Sequence, residues 1–430
     1  MSKKPHFQSP PGMHDILPED EKYFQKLFHL AEGLANFYGF ERIDTPLMEF
    51  AELFEKGTGQ TTDIVEKQMF TLRTRGGDAL ALRPEFTPGL VRAFLQHGMS
   101  NLPQPVKLYS IGPAFRYESP QAGRFRQFHQ IDFEVLGETS PAIDAQIIQI
   151  FYNLLDELKF KNPVIEINSI GANCCRPYFK KILAGYLRSH YNSLCLDCKR
   201  RVRENPLRVL DCKEEKCQPI KAASPQIIDH LCEDCHNHFK EVLEFLDELG
   251  LPYRLNPYLV RGLDYYTKTV FEIFIESTSA QNQAPIALVG GGRYDNLGKV
   301  IGNKDIPACG AAAGVERIVQ EMILRQPELH TETRKDVFLA QVGNLAKKKS
   351  LRLFEDFRRA RIPIGESLSK DSLKVQLSRA DRLQVRYTLI LGQKEALEKT
   401  VIVKDMKRGT QETIKMDKVV HEIKKRLLKK

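Results

Sequence analysis

The sequence of 430 residues contains no apolar run long enough to cross a membrane, no internal repeat and no low-complexity tract. A membrane-spanning helix needs about 20 apolar residues in succession, so we expect no membrane contact. The start of the chain has basic residues but no apolar core before Pro10 and Pro11, which argues against a secretion signal. With 42% hydrophobic and 28% charged residues, the composition is that of a globular protein. We expect a cytoplasmic location and about three domains, from a typical size of ~150 residues per domain.

The cysteines are few and unevenly placed. There are nine, an odd number, and eight of them lie between Cys174 and Cys235, whereas Cys309 stands apart. In a chain without a secretion signal, such cysteines are more often thiols or metal ligands than a disulfide framework. The surrounding sequence has a helical pattern. We therefore predict a helical, cysteine-rich insertion at about residues 170–250.

Residues 1–335 have no excess of positive charge, and the excess lies at the end of the chain. Residues 336–430 contain 24 Lys and Arg against 12 Asp and Glu, a local charge of +12, whereas residues 1–335 carry −3 of the total of +9. A basic domain attached to a nearly neutral one favours polyanion binding by the basic part. A lysine-rich surface that serves only solubility would have the same charge, so the charge alone leaves both interpretations open.

The hydrophobic pattern predicts two kinds of fold. Apolar residues recur with helical spacing from Glu19 to Tyr38, and Gly39 follows as a stop signal. Residues 106–137 read as a long antiparallel hairpin, because two apolar runs flank a polar loop. After residue 326, strands alternate with helices over 336–391, which is typical of a small α/β domain with a mainly parallel sheet. The earlier part reads as a largely antiparallel sheet with helices.

Four segments have the residue types that bind anionic or polar ligands. In the hairpin, Arg116 ends one strand, where its planar fork can hold a phosphate in a bidentate manner, and Gln130, Asp132 and Glu134 share one strand face by the period of two. The others are Arg261-Gly262-Leu263-Asp264-Tyr265-Tyr266, Gly290-Gly291-Gly292-Arg293-Tyr294-Asp295, and Gly310 to Arg317, which we interpret as small residues opening a helix. A charge run is more often a solvated surface, and a glycine triplet also occurs in turns. In the hairpin, the position of Arg116 at a strand end and the single face shared by the polar residues of the next strand favour a site.

These segments resemble the class II aminoacyl-tRNA synthetases and, within them, the histidyl-tRNA synthetases. The segment around Pro46, the hairpin from Leu108 to Leu136, and Gly314 to Arg317 are similar to the three class motifs. The segments starting at Arg261 and at Gly290 are similar to the two histidine-specific motifs. The resemblance implies an α+β catalytic domain built on an antiparallel sheet flanked by helices, at residues 1–325 and including the insertion. A linker at 326–335 and a C-terminal α/β anticodon-binding domain at 336–430 would follow.

The resemblance also implies a reaction and its residues. Histidine and ATP would give histidyl-adenylate and pyrophosphate, and the 3′ end of tRNA(His) would then accept the histidyl group. Arg116 and Arg261 would be the catalytic residues. Histidine binding would involve Glu85, Phe86, Thr87, Arg116, Gln130, Glu134, Arg261, Tyr265 and Tyr266, and ATP binding Arg116, Glu118, Arg124 and Arg317. Within this set Glu85, Thr87 and Gln130 would hold the α-amino group, and Glu134 and Tyr266 the imidazole.

Metals and a second protein copy complete the expectations. Magnesium follows from the use of ATP. The two Cys-x-x-Cys pairs, Cys195 with Cys198 and Cys232 with Cys235, have the spacing of a four-thiolate zinc site, with Cys212 and Cys217 as spare or competing ligands. Free core thiols are the alternative. The resemblance of the Glu19 helix and the Pro46 segment to the pairing region of the family implies a homodimer.

Two other functions fit parts of the sequence. One is the catalytically idle relative that regulates ATP phosphoribosyltransferase, which shares the catalytic fold but typically lacks the basic tail domain and the arginine motif. The other is a zinc module that binds nucleic acid, with the rest of the chain as scaffold. The tail domain and Arg261 argue against the first, and the adenylation residues argue against the second.

Overall fold

A computed structural model of the chain describes residues 7–118, 124–275, 287–325, 335–369 and 372–428. The chain divides into two compact units, Met1–Glu328 and Leu329–Lys430. The predicted linker at 326–335 lies outside the described residues except for Lys335. Among the described helices, none combines the length and the apolar character that a bilayer crossing requires.

The first unit is built on an eight-stranded sheet with the order β1-β5-β6-β11-β10-β9-β7-β8. The six central strands pair antiparallel, and the two edge strands, β1 and β8, pair parallel with their neighbours. A small sheet has the order β2-β4-β3. The strands are β1 Glu41–Arg42, β2 Met48–Phe50, β3 Thr71–Arg73, β4 Ala79–Leu82, β5 Val106–Phe115, β6 Gln127–Leu136, β7 Val164–Ser169, β8 Tyr253–Leu255, β9 Thr267–Phe274, β10 Ala287–Arg293 and β11 Ala308–Gly314.

Helices flank this sheet, and the predicted fold class is confirmed. They are α1 Pro18–Tyr38, α2 Ala51–Thr58, α3 Thr87–Gln96, α4 Pro141–Glu157, α5 Arg176–Ser189, α6 Leu196–Glu204, α7 Gln218–Ala222, α8 Glu233–Glu248, α9 Leu297–Gly302 and α10 Val315–Arg325. A π-helical turn spans Ile64–Gln68, and 3-10 turns span Met99–Asn101, Tyr191–Ser193, Pro206–Asp211, Glu215–Cys217 and Ile227–His230. The segment between β7 and β8 contains helices α5 to α8 without a strand, as the sequence predicted for the insertion.

Helix α1 illustrates how the sequence pattern sets an element. Acidic residues occupy its first turn, where they interact favourably with the helix dipole, and its apolar stripe buries Phe24, Leu27 and Ala31. Gly39 ends the helix in the left-handed conformation at φ 75°, which glycine adopts without a steric penalty. The predicted helix is thereby confirmed at both ends.

The hairpin of β5 and β6 is also confirmed, and its register places the polar face of β6. Val106 pairs with Leu136 and Phe115 with Gln127, so the two strands match over their full ten residues. On its other side β6 pairs with β11, with Glu134 opposite Gly310. The site residues of β6 therefore lie in the middle of the sheet, between strands that are far apart in sequence.

The prediction for one of the two glycine-rich segments needs correction. Gly310 to Gly314 form strand β11 rather than the start of a helix, whereas Gly290, Gly291 and Gly292 lie within strand β10. Helix α10 begins only at Val315. These small residues occupy strand positions beside large polar side chains of the site, as described below.

The second unit is a five-stranded sheet with the order β13-β12-β14-β15-β16. Two of its pairings are parallel and two antiparallel, so the prediction of a mainly parallel sheet is wrong for its second half. The predicted elements omitted β15, β16 and the last two helices. The strands are β12 Val337–Gln341, β13 Ile364–Glu366, β14 Tyr387–Leu391, β15 Thr400–Asp405 and β16 Gln411–Lys415, and the helices are α11 Asn344–Arg359, α12 Leu373–Arg382, α13 Gln393–Glu398 and α14 Val419–Leu428.

A buried ion pair joins α4 to β10. The Asp144 carboxylate and the Arg293 guanidinium are both fully buried; the Arg293 Nε donates to Asp144 Oδ2 at 3.1 Å, and His238 Nε2 lies 3.4 Å from the other oxygen. Arg293, one of the sequence-predicted motif residues, therefore has a structural role here.

We predict that Asp144→Ala lowers the free energy of unfolding by about 3–5 kcal/mol, because it removes the fully buried partner of the Arg293 charge and leaves only the more exposed Asp295 beside it. Urea denaturation measures this. Asp156→Ala removes an exposed carboxylate from the same helix and should change stability by less than about 0.5 kcal/mol. Equal effects of the two substitutions would contradict the structural role.

Candidate active site

A cavity of about 240 Å³ opens over strands β6, β10 and β11. Its polar lining consists mainly of arginine and glutamate side chains. The arginines are Arg116, Arg124, Arg261 and Arg317, and the carboxylates are Glu118, Glu272 and Glu316. All four arginines were predicted from the sequence as site residues, and the structure brings them together. Four guanidinium groups around one cavity are suited to a polyphosphate.

Backbone carbonyls and neighbouring side chains fix these arginines. The Nε of Arg116 donates to the carbonyl of Pro84 at 2.9 Å, and its guanidinium lies over the ring of Phe128 at 5.3 Å. Arg317 donates to the carbonyl of Ala287 at 3.0 Å. Arg124 pairs with Glu118 at 3.4 Å. The cations are thus positioned before any ligand binds, which lowers the reorganisation that a reaction requires.

Arg261 reaches the cavity because Gly290, the residue of β10 next to its guanidinium, has no side chain. It pairs with Glu272 and lies over the ring of Tyr266 at 5.8 Å. A Cβ at Gly290 would collide with the Arg261 guanidinium. The Nε of Arg261 is buried without a hydrogen-bond partner among the described residues. Gly290 therefore supplies space for an arginine rather than a turn.

Two buried glutamates lie near this cavity but outside its lining, and we call them the glutamate floor. The Glu85 carboxylate accepts hydrogen bonds from Thr58 at 2.7 Å and from Tyr265 at 2.6 Å. The Glu134 carboxylate accepts from Thr87 at 2.6 Å and from Tyr294. Each glutamate is at most 4% exposed. Every carboxylate oxygen of this pair therefore has a hydroxyl donor that fixes its position.

Burial changes the acidity of these groups. It raises the pKa of Glu134 to about 8, against the effect of hydrogen bonds from Thr87 and Tyr294. It also raises the pKa of Glu85, again against its two hydroxyl donors. Asp132, on the same face of β6, has its pKa raised well above the usual range by burial and by the nearby charges of Glu134 and Glu85. Strongly shifted acids in a cleft are typical of functional sites.

Two polar atoms of β6 lack partners among the described residues. Gln130 Oε1 and Asp132 Oδ2 are buried without a hydrogen bond. Because nearly all buried polar atoms in proteins are paired, these two atoms are available to pair with a ligand group. The sequence assigned no role to Asp132, Thr58 or Tyr294. Asp132 and Tyr294 stood in segments already singled out, whereas nothing in the local sequence marked Thr58.

Three tyrosines of the two predicted motifs pack together beside the two glutamates. The rings of Tyr265 and Tyr266 lie 4.6 Å apart, and Tyr294 meets Tyr265 edge-on at 5.6 Å.

Phe86 has a different environment from these tyrosines. It is buried against Leu90 and Ala114, and the Arg83 guanidinium stacks on it at 3.8 Å. The side chain of Phe86 is therefore part of the core, and its predicted part in histidine binding stays a prediction.

The predicted zinc site is wrong in its grouping. Cys195 and Cys198 do not meet Cys232 and Cys235. Instead, the sulfurs form two separate groups, each with all four Sγ atoms within 4.8 Å of one another. The first group is Cys174, Cys175, Cys232 and Cys235, and the second is Cys195, Cys198, Cys212 and Cys217. The two cysteines described as spare are ligand-like members of the second group.

Comparison with known proteins places the chain in a family. A family model described as histidyl-tRNA synthetase matches residues 12–172 and 207–318, and one described as anticodon binding domain matches 336–426. The histidine–tRNA ligase of Halothermothrix orenii is 42% identical over 418 residues, which are 97% of this chain and 99% of that protein. The chain belongs to the histidyl-tRNA synthetase family.

Solved structures agree with this family assignment. The crystal structure of apo S. aureus histidyl-tRNA synthetase matches with a TM-score of 0.80 and 31% identity over 97% of this chain and 99% of that one. A Bacillus halodurans protein titled as an ATP phosphoribosyltransferase regulatory subunit/histidyl-tRNA synthetase matches with a TM-score of 0.63 but only 19% identity, over 91% and 99% of the two chains. The second likeness concerns the fold alone. The family model leaves residues 173–206 unmatched, and this part of the insertion includes four of the clustered cysteines.

The raised pKa of Glu134 predicts a pH-dependent stability of the free protein. An acid whose pKa is about 8 when folded and about 4.5 when unfolded stabilises the fold at low pH, and this contribution is lost as the pH rises from about 4.5 through 8. Glu134→Gln resembles the protonated acid and does not titrate. Between pH 6 and pH 9, wild type should therefore lose roughly 2–3 kcal/mol more stability than the variant.

Urea unfolding of both proteins at the two pH values measures this difference. Glu157→Gln, at an exposed position at the end of α4, serves as the control and should follow wild type. Parallel pH profiles for wild type and Glu134→Gln would contradict a raised pKa at this site.

Proposed function

We propose that this cavity and the glutamate floor beside it are where the chain activates histidine with ATP. As a histidine–tRNA ligase, the chain is an enzyme that joins histidine to tRNA with ATP as a substrate. The observation that supports the assignment to this site is that groups suited to phosphate lie next to groups suited to an amino acid. Four fixed arginines line the cavity, and Glu85 and Glu134 lie beside them with every oxygen already oriented by a hydroxyl.

The floor has the groups that a histidine molecule requires. Its α-amino group would bind Glu85, Thr87 and Gln130. Its imidazole has one donor and one acceptor nitrogen in the neutral form, which would pair with Glu134 and Tyr266. A side chain that lacks either nitrogen would leave a buried protein group unpaired, which is the basis of strong discrimination. An imidazole N–H that donates to Glu134 favours the ionised carboxylate, so histidine binding would lower the pKa of Glu134.

The arginines would serve the phosphate chemistry. The histidine carboxylate, already ionised, would attack the α-phosphorus of ATP, a new C–O–P bond would form, and the bond to the β-phosphate would break to release pyrophosphate. Negative charge on the α-phosphate oxygens would be stabilised by Arg116 and Arg261, and Arg317 would hold the γ-phosphate. Arg124 with Glu118 would complete the nucleotide site. No general base is needed, so catalysis depends on positioning and charge.

Magnesium is consistent with the same lining. It prefers one or two carboxylates together with phosphate oxygens, and Glu118 and Glu272 are the carboxylates suited to hold it. When bound with ATP, it would offset phosphate charge. For zinc we propose a structural role only, because no cysteine is among the residues lining this cavity.

The partners follow the two units of the chain. We assign tRNA(His) to the basic second unit, whose match to an anticodon binding domain covers residues 336–426. Phosphate contacts would supply affinity, and single-stranded anticodon bases would supply specificity. A homodimer formed through the region of α1 and Pro46 and a cytoplasmic location, where thiols stay reduced, complete the proposal.

Arg261→Ala should lower histidine-dependent exchange of pyrophosphate into ATP by about 10²–10³-fold, because loss of one preorganised donor to a developing charge has this effect. Arg261→Lys should recover little of the rate, since a point charge does not reproduce the planar fork. Arg254→Ala, at an exposed position of β8, is the matched control and should exchange like wild type. An Arg261→Ala rate near wild type would refute the assigned role.

A chain that ends at Glu328, the limit of the first compact unit, should retain pyrophosphate exchange but lose most tRNA charging. The +12 charge of residues 336–430 would be missing, and with it the phosphate contacts that hold tRNA. Initial rates of both reactions measure the split. In the full chain, charging should also weaken steeply between 50 and 200 mM salt, whereas exchange should not. Equal charging by both proteins would contradict the assignment of tRNA to the second unit.

A further inference from the structure

The insertion places its eight clustered cysteines in two groups of four. We call Cys174, Cys175, Cys232 and Cys235 the outer cluster, because its members flank the rest in sequence. We call Cys195, Cys198, Cys212 and Cys217 the inner cluster. All four inner sulfurs belong to buried residues, whereas Cys174 is exposed and Cys232 half-buried. We propose that each cluster binds one Zn²⁺ through four thiolates, so that the chain holds two structural zinc ions.

The four sulfurs of each cluster lie close enough together to share one ion. A tetrahedral Zn²⁺ with Zn–S bonds of about 2.3 Å holds its sulfurs about 3.8 Å apart. In the outer cluster, Cys174 Sγ lies 3.0, 3.6 and 3.9 Å from the sulfurs of Cys232, Cys235 and Cys175. In the inner cluster, Cys195 Sγ lies 3.8 Å from Cys212 Sγ. These separations exceed the ~2.05 Å of a disulfide bond. An iron–sulfur cage would instead separate its thiolates by the width of the cage.

The two Cys-x-x-Cys pairs adopt the same backbone conformation at the same place on a helix. Cys195 caps α6 with φ −69° and ψ 164°, and Cys232 caps α8 with φ −72° and ψ 165°. In both, the second cysteine lies in the first turn of the helix. The positive end of a helix favours a thiolate over a thiol. Two segments of the insertion thus share one backbone conformation at the start of a helix, although only the Cys195 sulfur caps its helix through a hydrogen bond.

Hydrogen bonds and charge around the sulfurs also suit thiolates. The amide N–H of Cys198 donates to Cys195 Sγ at 3.3 Å, and the amide N–H of Cys195 donates to Cys217 Sγ at 3.3 Å. Each zinc bound by four cysteines releases four protons and leaves a net charge of −2. Arg176, next to Cys175, has a buried Nε without a hydrogen-bond partner among the described residues. Its guanidinium would compensate part of the charge of the outer site.

Four protein ligands per ion leave no open coordination position, so both sites are structural rather than catalytic. The inner cluster organises the segment that supports the histidine motif. Directly between its cysteines, Asn205 Nδ2 donates to Asp264 Oδ1 at 2.9 Å, and Arg208 donates to the carbonyl of Gly262 at 3.2 Å. Loss of the inner zinc should therefore loosen the loop that carries Arg261. The outer zinc would join the two ends of the insertion.

The test is the metal content of the full-length protein, purified with a reductant and passed through a chelator wash. Mass spectrometry of the elements should find two zinc ions per chain. The pair Cys195→Ser with Cys198→Ser and the pair Cys232→Ser with Cys235→Ser should each leave one. Cys309→Ser, which alters the one cysteine outside both clusters, should leave two. One zinc in wild type, none after either double substitution, or iron in place of zinc would overturn the proposal.

X-ray absorption at the zinc edge of the wild-type protein keeps the test decisive if a variant fails to fold. It should report four sulfur ligands at about 2.3 Å and no nitrogen or oxygen ligand. A spectrum with mixed ligands would refute the two four-thiolate sites. Because neither measurement uses ATP, histidine or tRNA, the result is independent of the proposed reaction. A second readout is the KM for histidine, which the inner double substitution should raise more than the outer one.

Discussion

The burial of three carboxylates, two on β6 in the large sheet and one just before α3, is the constraint on which the site depends. Glu85, Asp132 and Glu134 lie together where water is largely excluded, so each needs hydrogen bonds, cations or a proton to remain there. Hydroxyls of threonine and tyrosine satisfy the two glutamates, and the arginines of the adjoining cavity supply opposite charge. Recognition of a small polar ligand and stabilisation of phosphate charge are therefore parts of one electrostatic arrangement.

The sheet makes room for this arrangement by leaving side chains out. A Cβ at Gly290 would collide with Arg261, and one at Gly310 would collide with the Glu134 carboxylate. A strand normally places a side chain at every second position on each face, so a flat sheet surface would have filled the site. Glycine at these two positions lets a long arginine and a buried glutamate lie against the backbone of the neighbouring strand.

Patterns within one element could be predicted from the sequence, whereas contacts between distant segments could not. The limits of α1 and the β5–β6 hairpin follow from local periodicity and stop signals. The strand at Gly310 to Gly314 was missed because glycine and alanine have only a weak preference for strands. These residues form a strand because they pair with β6 and β10 on either side. The grouping of the cysteines was missed because spacing shows which residues form a Cys-x-x-Cys pair but not which pair meets another. The arginines were found through motif resemblance, and Thr58 had no motif to mark it.

The strand order has a consequence for how the pocket comes into being during synthesis. Leu136 at the end of β6 pairs with Ala308 at the start of β11, 172 residues further along the chain. At a synthesis rate of about 5–20 residues per second, roughly 10–30 s pass before the neighbour of β6 is available. Until then this edge of β6 has no partner strand, and the close contact of Glu134 with Gly310 that buries the carboxylate cannot form. The unusual affinity of Glu134 for a proton is thus a property acquired late, when β11 adds to the sheet and closes the pocket.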